Sequence, residues 1–320
     1  MPHVITDPVR RLDLNDLDLA HLAGDDEIGG EVSPIVDATD LPIDNRNLRL
    51  VNRALELGFA GVILSGPPGT GKSWYAQQIA VALTGKWEAV RSVQFHPSYQ
   101  YEDFVFGYRS NANGMFEPTA KEFALICREA AADPAQRYVM VIDEISRSDV
   151  IRVFGEALTY LEMDKRDRAF STSMGEELVI PKNLVVIGTM NPWDKGVDEL
   201  DAALERRFAQ IDILPDAKQL EMLLVEAGAE QPFLGRLIAF FELLQSESLE
   251  RVRLGHAYFL KCVDAASAQD IWTLRLLPTL RRACSLDLAT FRRLEEAWKG
   301  VVADDIVSTQ GDGEAAVLEQ

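Results

Sequence analysis

The eight residues Gly66-Pro67-Pro68-Gly69-Thr70-Gly71-Lys72-Ser73 fit the pattern G-x-x-x-x-G-K-[ST] and directly follow an apolar run, Val62-Ile63-Leu64. An apparent strand, a glycine-rich turn and then an apparent helix is the order that phosphate binding needs. Glycines let successive backbone N–H groups curl around phosphate oxygens, and a helix starting near Gly71 aims its positive end at them. Lys72 then reaches the β- and γ-phosphates, and the Ser73 hydroxyl ligates Mg²⁺. Gly66, Pro67, Pro68, Gly69, Thr70, Gly71, Lys72 and Ser73 are therefore the expected contacts of a nucleoside triphosphate, ATP or GTP.

Periodicity on either side of this loop alternates between two kinds of segment. Helix-like stretches cover 45–58, 73–83, 120–132 and 150–161; apolar, strand-like runs cover 61–65, 90–95, 138–142, 184–188 and 209–214, with a hairpin over 170–180 around Met174-Gly175. Such alternation predicts an α/β fold with a mostly parallel sheet sandwiched by helices. Beyond Pro215 only helical patterns remain. The expected organisation is an acidic, poorly ordered N-terminal arm over 1–44, an α/β nucleotide-binding domain over 45–215, a small α-helical lid over 216–302 and an acidic tail over 303–320.

With 320 residues and an apolar share of 47%, the chain can bury a sizeable core. Its first residues show no basic segment leading into an apolar one, and no run is long enough to span a bilayer, so a cytoplasmic protein without membrane contact is expected. Cys127, Cys262 and Cys284 are widely spaced and suggest buried thiols, neither a disulfide framework nor a zinc site. Residues 1–45 hold eleven acidic groups against Arg10 and Arg11, net −9, and 301–320 add five acidic groups and no basic one. About −5 of the formal −19 is left for the body. A general nucleic-acid footprint would need clustered Lys and Arg, so contact with nucleic acid is expected to be indirect or through an assembled ring. Leu12, Leu14, Leu17, Leu19 and Leu22 alternate with aspartates, as in a docking segment or a solvated arm.

Three further motifs surround the loop in the sequence. Val139-Met140-Val141-Ile142-Asp143-Glu144 delivers carboxylates at the end of a buried strand, where Asp143 can hold Mg²⁺ with Ser73 and Glu144 can polarise the attacking water. The plain alternative is an acidic cap on the next helix. Val185-Val186-Ile187-Gly188-Thr189-Met190-Asn191 again ends an apolar strand in a polar side chain, and Asn191 suits positioning of the γ-phosphate or the water. Leu204-Glu205-Arg206-Arg207-Phe208 offers guanidinium forks that match phosphate oxygens in trans, or simply surface arginines near a helix end.

Together the four motifs resemble the AAA+ ATPases, and within them the McrB branch, close to the MoxR-like proteins. The likeness covers about residues 45–300 and includes 95–104 (Phe-His-Pro-Ser-Tyr-Gln-Tyr-Glu-Asp-Phe), Ile142-Asp143-Glu144-Ile145-Ser146-Arg147, Ile187 to Asn191 with Asp194, and Leu254-Gly255-His256-Ala257-Tyr258-Phe259. The resemblance implies Mg²⁺-dependent hydrolysis of ATP or GTP in a homo-oligomeric ring, usually a hexamer. Gly66 to Ser73, Asp143, Glu144 and Asn191 would act in cis, and Arg206 or Arg207 would reach the neighbouring subunit. It also implies a separate effector, a McrC-like nuclease of a restriction complex or, in the MoxR-like alternative, another protein client. A nucleotide-gated scaffold is the non-enzymatic alternative.

This sequence departs from the family in three places. Asn191 leads into Pro192-Trp193-Asp194-Lys195, with Lys195 where McrB proteins carry Arg. The lid arginine of MoxR-like proteins has no counterpart at Gly255 to Phe259, and His256 there reads as a packing histidine, with a nucleotide-facing histidine as the alternative. McrB itself has a DNA-reading domain ahead of its ATPase, where this sequence has the acidic arm. Of the remaining eye-catching residues, Phe95, Tyr99, Tyr101, Phe104, Phe106 and Tyr108 read as core and interface packing, since no Lys or Arg is interleaved with them. The 170–180 hairpin, with Lys165, Arg166 and Arg168 just before it, is a candidate for lining a central pore or for a solvated turn.

Overall fold

A computed structural model describes residues 39–42, 45–110, 114–192 and 202–303. The acidic arm up to residue 38, the tail beyond 303, and Asp194 with Lys195 lie outside the described residues. Helix α1 (Arg46–Glu56) starts at Asn45, whose side chain accepts from the N–H groups of Asn47 and Leu48, and it buries Leu48, Val51 and Ala54. That spacing is one helical face. The chain continues through β1 (Gly61–Ser65), α2 (Lys72–Thr84), β2 (Val90–Gln94), α3 (Tyr101–Phe104), β3 (Phe106–Ser110), β4 (Phe116–Ala120) and α4 (Glu122–Ala132). Then follow β5 (Tyr138–Asp143), α5 (Val150–Phe154), α6 (Ala157–Tyr160), β6 (Ala169–Ser171), β7 (Glu177–Val179), β8 (Leu184–Met190), α7 (Ala202–Glu205) and β9 (Phe208–Asp212).

Five strands form one parallel sheet in the order β2-β5-β8-β1-β9. Its central strands β1 and β8 are buried at every residue, which is why they read as unbroken apolar runs. Alternation along β1 sends Val62 and Leu64 to one face, with Ile79 of α2 and Val51 of α1, and Ile63 to the other, with Phe123 and Ile126 of α4. Register brings the strand ends level, Ser65 opposite both Met190 and Asp212, and Gln94 opposite Asp143.

Helices alone follow: α8 (Ala217–Glu226), α9 (Phe233–Ser246), α10 (Ala265–Ile271), α11 (Leu277–Ala283) and α12 (Leu288–Val302), with a π-helical turn at Trp272–Leu276. They enclose their own core of Leu237, Phe241, Leu276, Leu294 and Trp298, with the Trp272 and Trp298 rings stacked at 4.8 Å. Among the described residues no helix is long and apolar enough to cross a membrane.

Two local expectations change. The helix expected over 150–161 is broken at Gly155, which takes φ 52° and ψ −131° where a Cβ would stand 2.9 Å from the Tyr101 ring. Tertiary packing of Tyr101 overrides helix periodicity there. The segment after the Phe95 cluster, read only as packing, contains an antiparallel hairpin, β3 with β4. Phe95, Phe104 and Phe106 are buried, and Phe104 stacks on Phe123 at 5.1 Å, whereas Tyr108 is exposed. The 170–180 hairpin forms as β6 and β7, with Gly175 at φ 78° in its turn.

Candidate nucleotide site

The loop between β1 and α2 is held in shape by its own groups. Thr70 Oγ1 donates to the Pro67 carbonyl at 3.0 Å, and Lys72 Nζ donates to the carbonyls of Gly66 and Pro67, each at 2.9 Å. Gly69 and Gly71 take φ 80° and 81°, a left-handed backbone that suits glycine, and Gly71 is the residue on which α2 begins. Gly66 is required by space: a Cβ there would lie 2.2 Å from the Ile213 carbonyl oxygen. The loop thus presents N–H groups at the start of a thirteen-residue helix whose dipole favours an anion.

Strand register carries the acidic and amide groups to the same edge. Ser73 Oγ donates to Asp143 Oδ1 at 2.7 Å, across 70 residues of sequence. Pro68, Lys72, Ser73, Glu144, Thr189 and Asn191 are among the residues lining one cleft of about 410 Å³. Asn191 is buried, and Glu144 pairs with Arg147 at 3.2 Å. Mg²⁺ prefers hard oxygens and completes its shell with nucleotide phosphates and water. The Ser73 hydroxyl beside the Asp143 carboxylate matches that donor set, and among the described residues no cluster of three or more His, Cys, Asp or Glu could hold a metal unaided.

Thr189 is a site residue that the sequence reading passed over. Its hydroxyl donates to Asp143 Oδ1 and accepts from the Glu144 N–H at 3.1 Å. In the sequence its only signal is a hydroxyl side chain inside the apolar run 184–190; in the structure that hydroxyl residue is 1% exposed.

The helical region closes on the loop through its backbone. Gly255 N–H donates to the Pro68 carbonyl and Ala257 N–H to the Gly69 carbonyl, each at 2.9 Å. Gly255 sits so close that a Cβ would be 2.1 Å from the Gly69 carbonyl carbon, and Tyr258 covers Gly69. Arg275 stacks over the Tyr258 ring at 4.3 Å and donates to the Ala257 carbonyl at 3.3 Å. His256, read as a packing histidine, is indeed buried, but it packs beside Gly71 of the loop, and its Nδ1 has no hydrogen-bond partner among the described residues. Burial pulls its pKa below the ordinary value, against the pull of Asp216.

Arg206 and Arg207 are not brought to this cleft. They precede β9, whose first residue Phe208 lies opposite Gly61, so they stand at the other end of β1 from the loop. Five strand residues separate the two ends, about 17 Å. Of the pore-lining candidates, Arg166 is buried and donates to the carbonyls of Leu161, Pro181, Leu184 and Ala60, which makes it a strut rather than a solvent-facing group. Lys165 is tied to Glu162 at 2.6 Å, while Arg168 is exposed.

Residues 61–208 match the AAA domain of the dynein-related subfamily. The chain is 38% identical over 226 residues to the type IV methyl-directed restriction enzyme EcoKMcrB subunit of Escherichia coli K12, covering 65% of this chain and 49% of that protein. It is 24% identical over 188 residues to the type II restriction enzyme BsuMI component YdiS of Bacillus subtilis 168, covering 46% of this chain and 55% of that protein. The uncharacterized protein YehL of Escherichia coli K12 is 26% identical over 170 residues, covering 51% of this chain and 44% of YehL. The chain therefore spans about half the length of these relatives. The phosphate loop and the parallel sheet thus coincide with the stretch that matches an AAA domain of the dynein-related subfamily, and the chain is similar to the EcoKMcrB subunit over 65% of its length.

Proposed function

We propose that this chain is a Mg²⁺-dependent NTPase whose hydrolysis, in a homo-oligomeric ring, drives a separate effector of a restriction or defence complex. The observation that carries the reading is the 2.7 Å contact of Ser73 with Asp143 at the mouth of the phosphate loop, in a cleft that Glu144 and Asn191 also line. Residues 45–215 form the catalytic module and 216–302 the lid. Gly66 to Ser73 cradle the phosphates, Lys72 neutralises them, and Ser73 with Asp143 holds Mg²⁺. Glu144 polarises the attacking water, and Asn191 orients it or the γ-phosphate.

Assembly is supported by the position of Arg206, too far along the strand to serve its own loop and exposed on the surface. It is the residue offered to a neighbour's γ-phosphate, and a hexamer is the ring expected of the family. The restriction enzymes among the relatives support a nuclease of McrC type as the effector.

The test is hydrolysis of ATP and of GTP by the pure protein and by Lys72→Ala and Glu144→Gln, with and without a candidate effector. Loss of a general base lowers turnover by roughly 10²- to 10⁴-fold. Full turnover by Glu144→Gln would remove Glu144 from the role assigned to it.

A further inference from the structure

We propose that Thr189 is a positioning residue that sets the direction of both carboxylates in the cleft, and so governs metal affinity and turnover. The inference rests on the hydrolytic reading above. Every residue of β8 is buried, and among its side chains Thr189 alone carries a hydroxyl. A buried hydroxyl is unfavourable unless its hydrogen bonds are made, and here both capacities are used on consecutive residues of β5 and its extension. It donates to Asp143 Oδ1 and accepts from the Glu144 N–H.

Glu144 needs such a hold. It takes φ 55° and ψ 45°, a left-handed backbone that is unfavourable for a residue with a side chain and persists only where the surroundings impose it. That turn takes the chain out of the strand direction at the point where Glu144 enters the cleft. Asp143, meanwhile, receives hydrogen bonds from Ser73 on one element and Thr189 on another, which aims its carboxylate at the phosphate loop. Strand pairing makes the contact possible: Ile142 lies opposite Gly188, so Thr189 is level with Asp143. One hydroxyl therefore couples the metal-side carboxylate to the backbone of the water-side carboxylate.

Thr189→Val keeps the branched shape and removes only this coupling; Thr189→Ser keeps the hydroxyl. In the nucleotide-free protein, hydrogen–deuterium exchange of the peptide containing the Glu144 amide is expected to quicken by about tenfold in Thr189→Val and to stay at the wild-type rate in Thr189→Ser. Mn²⁺ affinity, read by electron paramagnetic resonance with a non-hydrolysable nucleotide, is expected to fall by a similar factor in Thr189→Val alone, as is turnover. Wild-type exchange and Mn²⁺ affinity in Thr189→Val would overturn the proposal. If Thr189→Val fails to fold, Thr189→Ser decides: wild-type exchange and Mn²⁺ affinity support the proposal, and loss of either overturns it. Wild-type protein that hydrolyses neither ATP nor GTP would instead remove the hydrolytic reading, while the exchange result still decides whether Thr189 tethers Glu144.

Discussion

Arg207 and Glu162 form a 2.6 Å ion pair in which the arginine side chain is only 4% exposed, while Arg206, one residue earlier, reaches the same carboxylate at 3.3 Å from the surface. Lys165 bonds the other carboxylate oxygen, and this contact, with the two guanidinium charges, holds the Glu162 carboxyl below the usual range. Two adjacent arginines of equal chemistry thus have different work. Arg207→Ala is expected to destabilise the fold by about 1–3 kcal/mol, because it removes a nearly buried side chain with its packing and its 2.6 Å ion pair to Glu162. Arg206→Ala is expected to change stability by less than about 0.5 kcal/mol, as for exposed pairs, and to lower turnover only where subunits associate. Thermal melts together with turnover measured against protein concentration check both.

Gly255 is the point at which the helical region touches the phosphate loop. In Gly255→Ala the added methyl meets the backbone of Gly69 and Thr70 at 2.1–2.4 Å, so the 255–258 segment has to withdraw and its two hydrogen bonds to the loop are lost. Nucleotide affinity is expected to fall by roughly tenfold, since two such bonds together contribute about 1–3 kcal/mol and about 1.4 kcal/mol is tenfold. A fluorescent-nucleotide titration measures it, and faster hydrogen exchange over 254–259 is the accompanying sign.

Arg166→Met tests the buried strut. Burial pushes this guanidinium down to about 10, yet it is retained because it serves carbonyls from four places in the chain. Removing it leaves those acceptors without their donor, for an expected loss of about 2–4 kcal/mol of stability. Denaturant unfolding reads that loss, and nucleotide affinity measured in the folded range is expected to remain at the wild-type value.

Burial holds the folded pKa of His256 below its ordinary 6.5. As pH falls through 6.5 the unfolded chain takes up the proton before the folded one does, and stability declines until the folded pKa is passed. The slope contributed is at most about 1.4 kcal/mol per pH unit. Melting temperature is expected to drop more for wild type than for His256→Gln between about pH 7 and about pH 5.5. Parallel curves would show that His256 binds its proton equally well in the folded and the unfolded chain, and so overturn the shift.

Much of the architecture follows from local pattern. The alternation of apolar strands and amphipathic helices marks all five strands of the sheet, and Gly66 to Ser73 marks its binding edge. The β3–β4 hairpin escaped because Phe106-Gly107-Tyr108 lies in a dense run of aromatics that reads equally well as plain core. Gly155 escaped because nothing near it in sequence indicates that the Tyr101 ring occupies the space of its missing side chain.

What the sequence determined by itself is what neighbours along the chain settle: where the five strands of the sheet and most of the helices beside them form, where the phosphate loop lies, and which polar residues end the buried strands. Only the tertiary structure decided that Thr189 joins Asp143 to Glu144, that Gly255 rests on Gly69, and that Arg207 is buried while Arg206 is not. Each of these depends on the register between segments tens of residues apart. A one-residue slip in a strand would turn the same side chain to the opposite face, and no local period specifies that register.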